Sequence, residues 1–484
     1  MATRTPHFFV WETLKREMKS KKSALLIPVE NQVRELDAKL LLACIAARRG
    51  IPSIIGPKRE VEFRMASFPR SIFLSKSLRI GNRKFFPNSI KLGHKIVAWD
   101  EEALVHLPTE IYFSRRLSPA GMNYVSHFFA WGEDNARLWR QYPNLPADKP
   151  IHVTGNPRND LLRSEIRSYY ENDVNHICST YGDFILINTN FNHVNAFYPG
   201  QNLFKPVKAS GEIAEFGQAA RGMPREYAEG FRDHKQAIFE DFQKLIPALE
   251  KSFPDHTIVV RPHPTENQEI YRKIAQRCQR LRVTNEGNVV PWLMAAKALI
   301  HNGCTTGVEA YVMRIPAISY RATVNDFYDD GFYRLPNRLS HQCFNYEELK
   351  GTLQMIVAGE LGAANGDERK ALVNHHLAAL NGPLACERIV DVLAKALDEL
   401  KMSPPPPIRD RFNGWFRTTK RRIRQRYKSY RPGSLKTPEF ERHRYPPVDA
   451  REVSARLARF QQLIGHGAEV KVEPIFGKLF RISC

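Results

Sequence analysis

Three short stretches carry residue types that can do chemistry together. Residues 257–266 read TIVVRPHPTE, a β-branched run that stops at Arg261, Pro262, His263 and Pro264. Proline donates no backbone hydrogen bond and biases the residue before it towards extended geometry. Arg261 and His263 each precede a proline, so both are held in defined directions at a strand's end. An arginine and an imidazole aimed this way suit an anion such as phosphate. The plainer alternative is a rigid turn around a hydrogen-bonded histidine. Residues 301–311 read HNGCTTGVEAY. Asn302 and Gly303 end a strand, and Thr305 or Thr306 is placed to cap the helix that follows. Backbone N–H groups and hydroxyls at such a helix start form an anion site. Glu309, one turn in, is placed to accept hydrogen bonds from a ribose. An ordinary capped helix, with Gly303 and Gly307 allowing close packing, would use the same residues. Residues 99–102 read WDEE. Repulsion among Asp100, Glu101 and Glu102 raises the proton affinity of one of them. A carboxylate there can deprotonate a hydroxyl, and an acidic first helical turn is the alternative.

The surrounding pattern must position these groups. Residues 24–29 (ALLIPV) read as a buried strand, and residues 34–49 have apolar positions at helical spacing up to Gly50, a C-cap signal. Strands follow at 51–55, 71–74 and 95–99. A second series begins with a strand at 183–188 and a long helix at 227–251. It continues with a strand at 257–260, a helix at 269–281, strands at 298–301 and 317–320, and a helix from Thr306 between those two. Strand–helix–strand alternation implies parallel sheets with crossover helices. The two series join near residues 153–160 (VTGNPRND), where Gly, Asn and Pro cluster. Residues 190–225 have weak periodicity and read as a long loop or insertion, placed to lie over a site.

The chain's 484 residues suffice for two domains and further material. Net charge is +21, and residues 401–484 hold 20 Lys/Arg against 7 Asp/Glu. That placement indicates a basic tail, not a uniformly basic nucleic-acid fold, so no specific nucleic acid is expected as a partner. Pro404 to Pro407 form a stiff spacer, followed by a basic, aromatic-rich run at 411–431 that suits an anionic membrane surface. A solvated basic tail is the alternative. No apolar run approaches the roughly 20 residues of a membrane span. Seven scattered cysteines without a C-x-x-C argue against a disulfide framework or zinc site. Arg4 with Phe8, Phe9 and Val10 makes too short an apolar stretch for a secretory signal. The expected location is cytoplasmic, peripheral on the inner face of the membrane.

Residues 155–160 (GNPRND) resemble the inter-domain motif of CDP-glycerol glycerophosphotransferases. His263-Pro264, the pair Thr305–Thr306 and the acidic run Asp100–Glu102 together resemble the pattern of bacterial sialyltransferases and polysialyltransferases, and more loosely of Kdo transferases. Residues 20–400 look most like bacterial surface carbohydrate biosynthesis proteins, whose characteristic run corresponds to residues 26–37 (LIPVENQVRELD). The resemblance implies an α/β, GT-B-like fold, with two Rossmann-like domains facing a central cleft, plus the basic tail. Residues 1–160 would form an acceptor-side domain, 161–400 a nucleotide-donor domain and 401–484 the tail. It implies a glycosyltransferase that builds capsule or lipopolysaccharide. A CMP-activated acidic sugar would be donated to a glycan or glycolipid acceptor, with no cofactor and no metal. His263, with Thr305 and Thr306, would hold the donor phosphate, helped by Arg261, Pro264, Asn302, Gly303 and Glu309, and one of Asp100, Glu101 and Glu102 would be the base. Two departures stand out: Ala103 where that pattern has glycine, and threonines where it commonly has serine. A CDP-alditol phosphotransferase and a non-catalytic scaffold are the alternatives.

Overall fold

A computed structural model of the chain describes residues 22–79, 85–207, 213–430, 437–465 and 467–484. Arg4, Phe8, Phe9, Val10, Arg431 and part of the 190–225 insertion lie outside the described residues. The strands are β1 (Leu25–Val29), β2 (Ser53–Pro57), β3 (Ile72–Ser75), β4 (Lys95–Ala98), β5 (Val125–Ala130), β6 (Ile151–Val153) and β7 (Phe184–Asn188). They continue with β8 (Thr257–Arg261), β9 (Leu281–Val283), β10 (Ala298–His301), β11 (Ala317–Tyr320), β12 (His341–Cys343), β13 (Lys471–Phe476) and β14 (Leu479–Ser483). Eight helices matter below: α1 (Gln32–Arg48), α2 (Phe85–Lys91), α3 (Thr109–Arg116), α4 (Arg225–Ser252), α5 (Thr306–Met313), α6 (Ala385–Met402), α7 (Ile408–Ser429) and α8 (Ala450–Leu463). The chain divides into two compact units. Unit 1 is Met1–Glu101, Arg116–Asp160 and Ala378–Cys484, and unit 2 is Glu102–Arg115 and Leu161–Leu377.

Unit 1 is built on a sheet of order β13-β14-β2-β1-β3-β4-β5-β6. β1 to β6 run parallel, as the alternating sequence pattern requires. β1 (LLIPV) is buried along its whole length, which suits a central parallel strand covered on both faces. Residues 401–484, expected as an appended tail, are instead part of this unit. β14 pairs antiparallel with β2, Arg481 opposite Ile54, and buries Leu479, Phe480 and Ile482. The register of that pairing is fixed because the apolar residues must face the core. α7 rests on the α2 region: a Cβ at Gly414 would sit 3.0 Å from Leu92 Cγ. Arg421 of α7 donates to Glu62 at 2.7 Å. Arg456 of α8 donates to Asp37 at 2.6 Å. The GNPRND stretch is bound to the same unit. Gly155 takes φ +83°, and the Asp160 carboxylate accepts from the backbone N–H of Ala385 and Cys386 at 2.8 Å each. Those bonds satisfy free N–H groups at the start of α6.

Unit 2 carries an all-parallel sheet of order β12-β11-β10-β7-β8-β9. From β7 the chain winds outward through β8 and β9, then returns to β10 on the other side of β7. The carboxyl ends of β7 and β10 therefore flank a topological switch point, where open α/β sheets leave a crevice. The helix expected over 269–281 ends at Ala275, and Leu281–Val283 becomes β9. The described part of the insertion is packed on the unit. Leu203, Phe204, Ala220 and Met223 pack into a buried cluster with Leu107, Ile111 and Tyr333.

Candidate functional site

The expected phosphate-binding residues gather at the carboxyl ends of β7, β8 and β10, but not all point alike. His263 follows β8 and is half-buried. Its Nδ1 accepts from the Thr265 backbone N–H at 3.3 Å and lies 2.8 Å from Thr265 Oγ1. The neutral imidazole then carries its proton on Nε2 and can donate there. Its backbone N–H donates to the buried carboxylate of Glu266 at 3.1 Å. Glu266 also accepts from the Phe191 N–H at 2.9 Å, Tyr271 Oη at 2.7 Å and Thr189 Oγ1 at 3.1 Å. Burial pushes the Glu266 carboxyl up, and these donors oppose the shift. This one carboxylate ties the β7 and β8 loops together.

Arg261 does not aim at a ligand. It is buried, donates to the carbonyls of Glu286 at 2.8 Å and Gly287 at 3.2 Å, and stacks 4.5 Å from the Trp292 ring. The physical reason is the internal ring and two carbonyls, which satisfy the guanidinium where it stands. Arg261 therefore braces the loop after β9, and Pro264 shapes the turn that holds His263.

The β10–α5 junction is shaped by His301, whose Nδ1 accepts from the Gly303 N–H at 3.1 Å while Nε2 pairs with Ser340 Oγ at 2.8 Å. Burial holds this imidazole down to about 3, so it stays neutral. Gly303 takes φ +84°, and a Cβ there would sit 2.5 Å from Tyr333 Cγ, so the position demands glycine. Asn302 Oδ1 accepts from the Asn190 N–H at 2.9 Å, which links the two loops across the switch point. Thr305 is the N-cap residue of α5 and makes no side-chain cap bond; Thr306 opens the helix. Thr306 Oγ1 is buried without a hydrogen-bond partner among the described residues. Glu309 is buried one turn further on.

Two residues absent from the sequence reading complete this edge. Asn188, the last residue of β7, is 3% exposed, and neither its Oδ1 nor its Nδ2 has a hydrogen-bond partner among the described residues. Lys235 of α4 is wholly buried, and its Nζ likewise has no hydrogen-bond partner. Its signal was legible: it stands four residues from Phe231 and four from Phe239, a lysine on the apolar stripe of a helix.

The acidic run at the end of β4 is resolved into three different residues. Asp100 is fully buried, and both its oxygens accept from Arg116, Nε at 2.9 Å. Residue 116 ends α3, sixteen positions away, so adjacency in sequence could not show the pairing. Asp100 is thus committed to an ion pair. Glu101 accepts from Trp99 Nε1 at 2.9 Å and lies 3.6 Å from Lys39 Nζ, and its Oε2 has no hydrogen-bond partner among the described residues. Glu102 is exposed and belongs to unit 2. Around Glu101 the run 26–37 supplies a buried charge network. Lys39 bridges Glu35 at 2.6 Å and the Pro28 carbonyl at 2.7 Å, and Lys76 contacts Glu35 and, at 3.1 Å, Glu30. Burial pushes the Glu35 carboxyl up, but Lys39 and Lys76 outweigh it and hold it at about 2.

No protein-family model matches the sequence, and no curated protein sequence matches it. Solved structures do match. The wall teichoic acid polymerase TagF is 10% identical over 82% of this chain and 97% of its own, with a TM-score of 0.50. A variant of TagF soaked with CDPG gives 10% identity, 82% and 96% coverage and the same TM-score of 0.50. A UDP-GlcNAc 2-epimerase from Methanocaldococcus jannaschii, in complex with UDP-GlcNAc and UDP, is 12% identical over 77% of this chain and 99% of its own, with a TM-score of 0.46. The TagF likeness and the two parallel-sheet units together establish a GT-B-type α/β fold.

Proposed function

We propose that this chain is a GT-B transferase of bacterial surface-polysaccharide synthesis, with the phosphate of a nucleotide-activated donor held at the carboxyl edge of unit 2. One observation carries the reading. At the carboxyl ends of β7 and β10, Asn188 and Thr306 are buried without hydrogen-bond partners among the described residues, and His263 follows the neighbouring β8. Folded proteins pair nearly all buried polar groups, and phosphate and ribose oxygens would pair these. As the donor's sugar–phosphate bond breaks, negative charge builds on the phosphate. The His263 Nε2–H, the Thr306 hydroxyl and the first N–H groups of α5 are fixed donors for that charge. The mechanism asks for no metal. A carboxylate takes the acceptor's hydroxyl proton. Among the three candidates Glu101 fits best, since Asp100 is committed to Arg116.

The lead donor is a CMP-activated acidic sugar, a nonulosonic acid or Kdo, supported by the sialyltransferase-like set of His263, Thr305, Thr306 and the acidic run. A second reading, a CDP-alditol phosphotransferase, is favoured by the GNPRND stretch and by the likeness to TagF soaked with CDPG. Calorimetry and thermal shift with CMP, CDP, UDP, GDP and ADP, on wild type and His263→Ala, separate them. Selective CMP binding weakened by the substitution supports the lead, and selective CDP binding the second. Absence of all binding would overturn both in favour of a scaffold.

An anionic membrane surface is the partner proposed for α7. One face of the helix is packed on unit 1 through Gly414, Thr418 and Arg421. Facing away are Ile408, Phe412, Phe416, Ile423 and Tyr427, all exposed and spaced four, four, seven and four residues apart. That spacing makes a single helical stripe. Exposed Arg417, Lys420, Arg422, Arg424 and Arg426 flank it, the arrangement of a helix lying in a lipid interface. The intact protein should co-sediment with phosphatidylglycerol vesicles and release in high salt, and Phe412→Ser with Phe416→Ser should abolish co-sedimentation. No helix among the described residues is long and apolar enough to cross a membrane.

A further inference from the structure

Lys235 has no part in the mechanism above, and its setting is unusual. Its ammonium is enclosed by rings, with Nζ 4.5 Å from the Tyr333 centroid and 5.1 Å from that of Phe191. Phe191 belongs to the loop after β7, and Tyr333 lies between two short helices after β11. Tyr333 packs on Gly303, after β10. Phe191 follows β7 by three residues, and its N–H donates to Glu266. Lys235 therefore stands directly behind the loops from the two strands that flank the switch point.

The acidic groups that face it are already engaged. Asp329 lies 2.9 Å from His234 Nε2 and accepts from Arg321 at 3.0 Å. Glu266 takes the four donors described above, and the Cys304 thiol faces Lys235 as well. His193 also faces this region and is held well below its ordinary value by burial and then by Lys235, Arg115 and His263. A buried ammonium without an acceptor is costly, and a helix's apolar stripe would ordinarily place a hydrophobe there. A cost of that kind is sustained where the charge has a use.

We propose that Lys235 is a positioning residue for an anion: its buried charge, acting through the Phe191 and Tyr333 rings, attracts and holds the phosphate of the ligand bound at the β7–β10 switch point. The inference rests on reading this edge as a phosphate site. Coulomb attraction reaches across several ångströms in a poorly polarisable interior, so the ammonium need not touch the ligand. Burial lowers the Lys235 ammonium to about 8, against the opposing pull of Asp329, Glu266 and Cys304. Anion affinity should therefore fall as pH rises through that value.

The test compares wild type, Lys235→Met, Lys235→Gln and Lys235→Arg, with inorganic pyrophosphate and the nucleotide panel as probes. Lys235→Met should raise Tm, because a buried ammonium without a hydrogen-bond acceptor is removed, yet weaken pyrophosphate and nucleotide binding about tenfold or more. Lys235→Arg should restore most of the binding. The wild type should lose affinity between about pH 7 and 9, and Lys235→Met should not. Lys235→Gln provides the comparison if the methionine variant does not fold. Wild-type binding that is unchanged in both Met and Gln variants would overturn the inference while leaving the nucleotide reading intact. Pyrophosphate binding that depends on Lys235, without any nucleotide binding, would uphold the inference and reject the nucleotide reading. Binding of neither probe to wild type would reject both.

Discussion

The carboxyl edges of the two sheets solve opposite problems. In unit 1 the buried charges are matched to one another: Asp100 with Arg116, and Glu35 with Lys39 and the half-buried Lys76. In unit 2 the buried polar atoms of Asn188, Thr306 and Lys235 have no hydrogen-bond partner among the described residues. A matched network orients its members and holds the fold together. Unmatched buried polar atoms lower stability, and in the proposed reading a ligand pairs them. At the end of β4 in unit 1, Glu101 Oε2 has no hydrogen-bond partner among the described residues, and Glu101 is the carboxylate proposed to act on the acceptor.

Substitutions should therefore have opposite signatures at the two edges. The largest effect is expected at Arg116→Ala, which leaves the Asp100 charge buried and alone. Loss of one partner from a buried pair costs about 3–5 kcal/mol, readable as a fall in the urea midpoint. A small shift would remove Asp100–Arg116 from the matched network. Next comes acid. Glu35 is held at about 2, below its ordinary 4.5. Its stabilising contribution is present in full above 4.5 and is lost as pH falls through about 2. The stability curve of Glu35→Gln should be flatter than wild type in that window, and parallel curves would refute the assignment. The smallest stability effect is expected in unit 2. Thr306→Val removes a partnerless hydroxyl, so stability should hold or rise by about 1 kcal/mol while nucleotide affinity falls several-fold. A destabilised Thr306→Val with unchanged affinity would erase the contrast between the edges.

Some of this was legible before any coordinates. The buried strands at 24–29, 183–188, 257–260 and 298–301, the Gly50 helix end, the start of α5 and the His263 turn all follow from local preferences. Apolar runs, glycine at positive φ and proline's fixed geometry act within a few residues. The threonine pair and His263 do gather at one sheet edge, because strand order brings β8 and β10 to either side of β7.

Other residues took their meaning from partners far along the chain. Arg261 turned inward because the loop after β9 offers it a tryptophan and two carbonyls. Asp100 became a structural ion pair because α3 presents Arg116. The basic C-terminal segment reads as a tail by composition, yet β14 completes the unit 1 sheet beside β2, more than 400 residues earlier in the chain. Lys235 is visible as an anomaly in a helical stripe, but only packing revealed that it stands behind the loops after β7 and β10 without an acceptor among the described residues. The sequence by itself determined which segments form most of the buried parallel strands and where prolines and glycines break them, since backbone preferences are local. The tertiary structure alone decided which charges are neutralised and which are left open, since pairing depends on distance in space, and topology sets that distance.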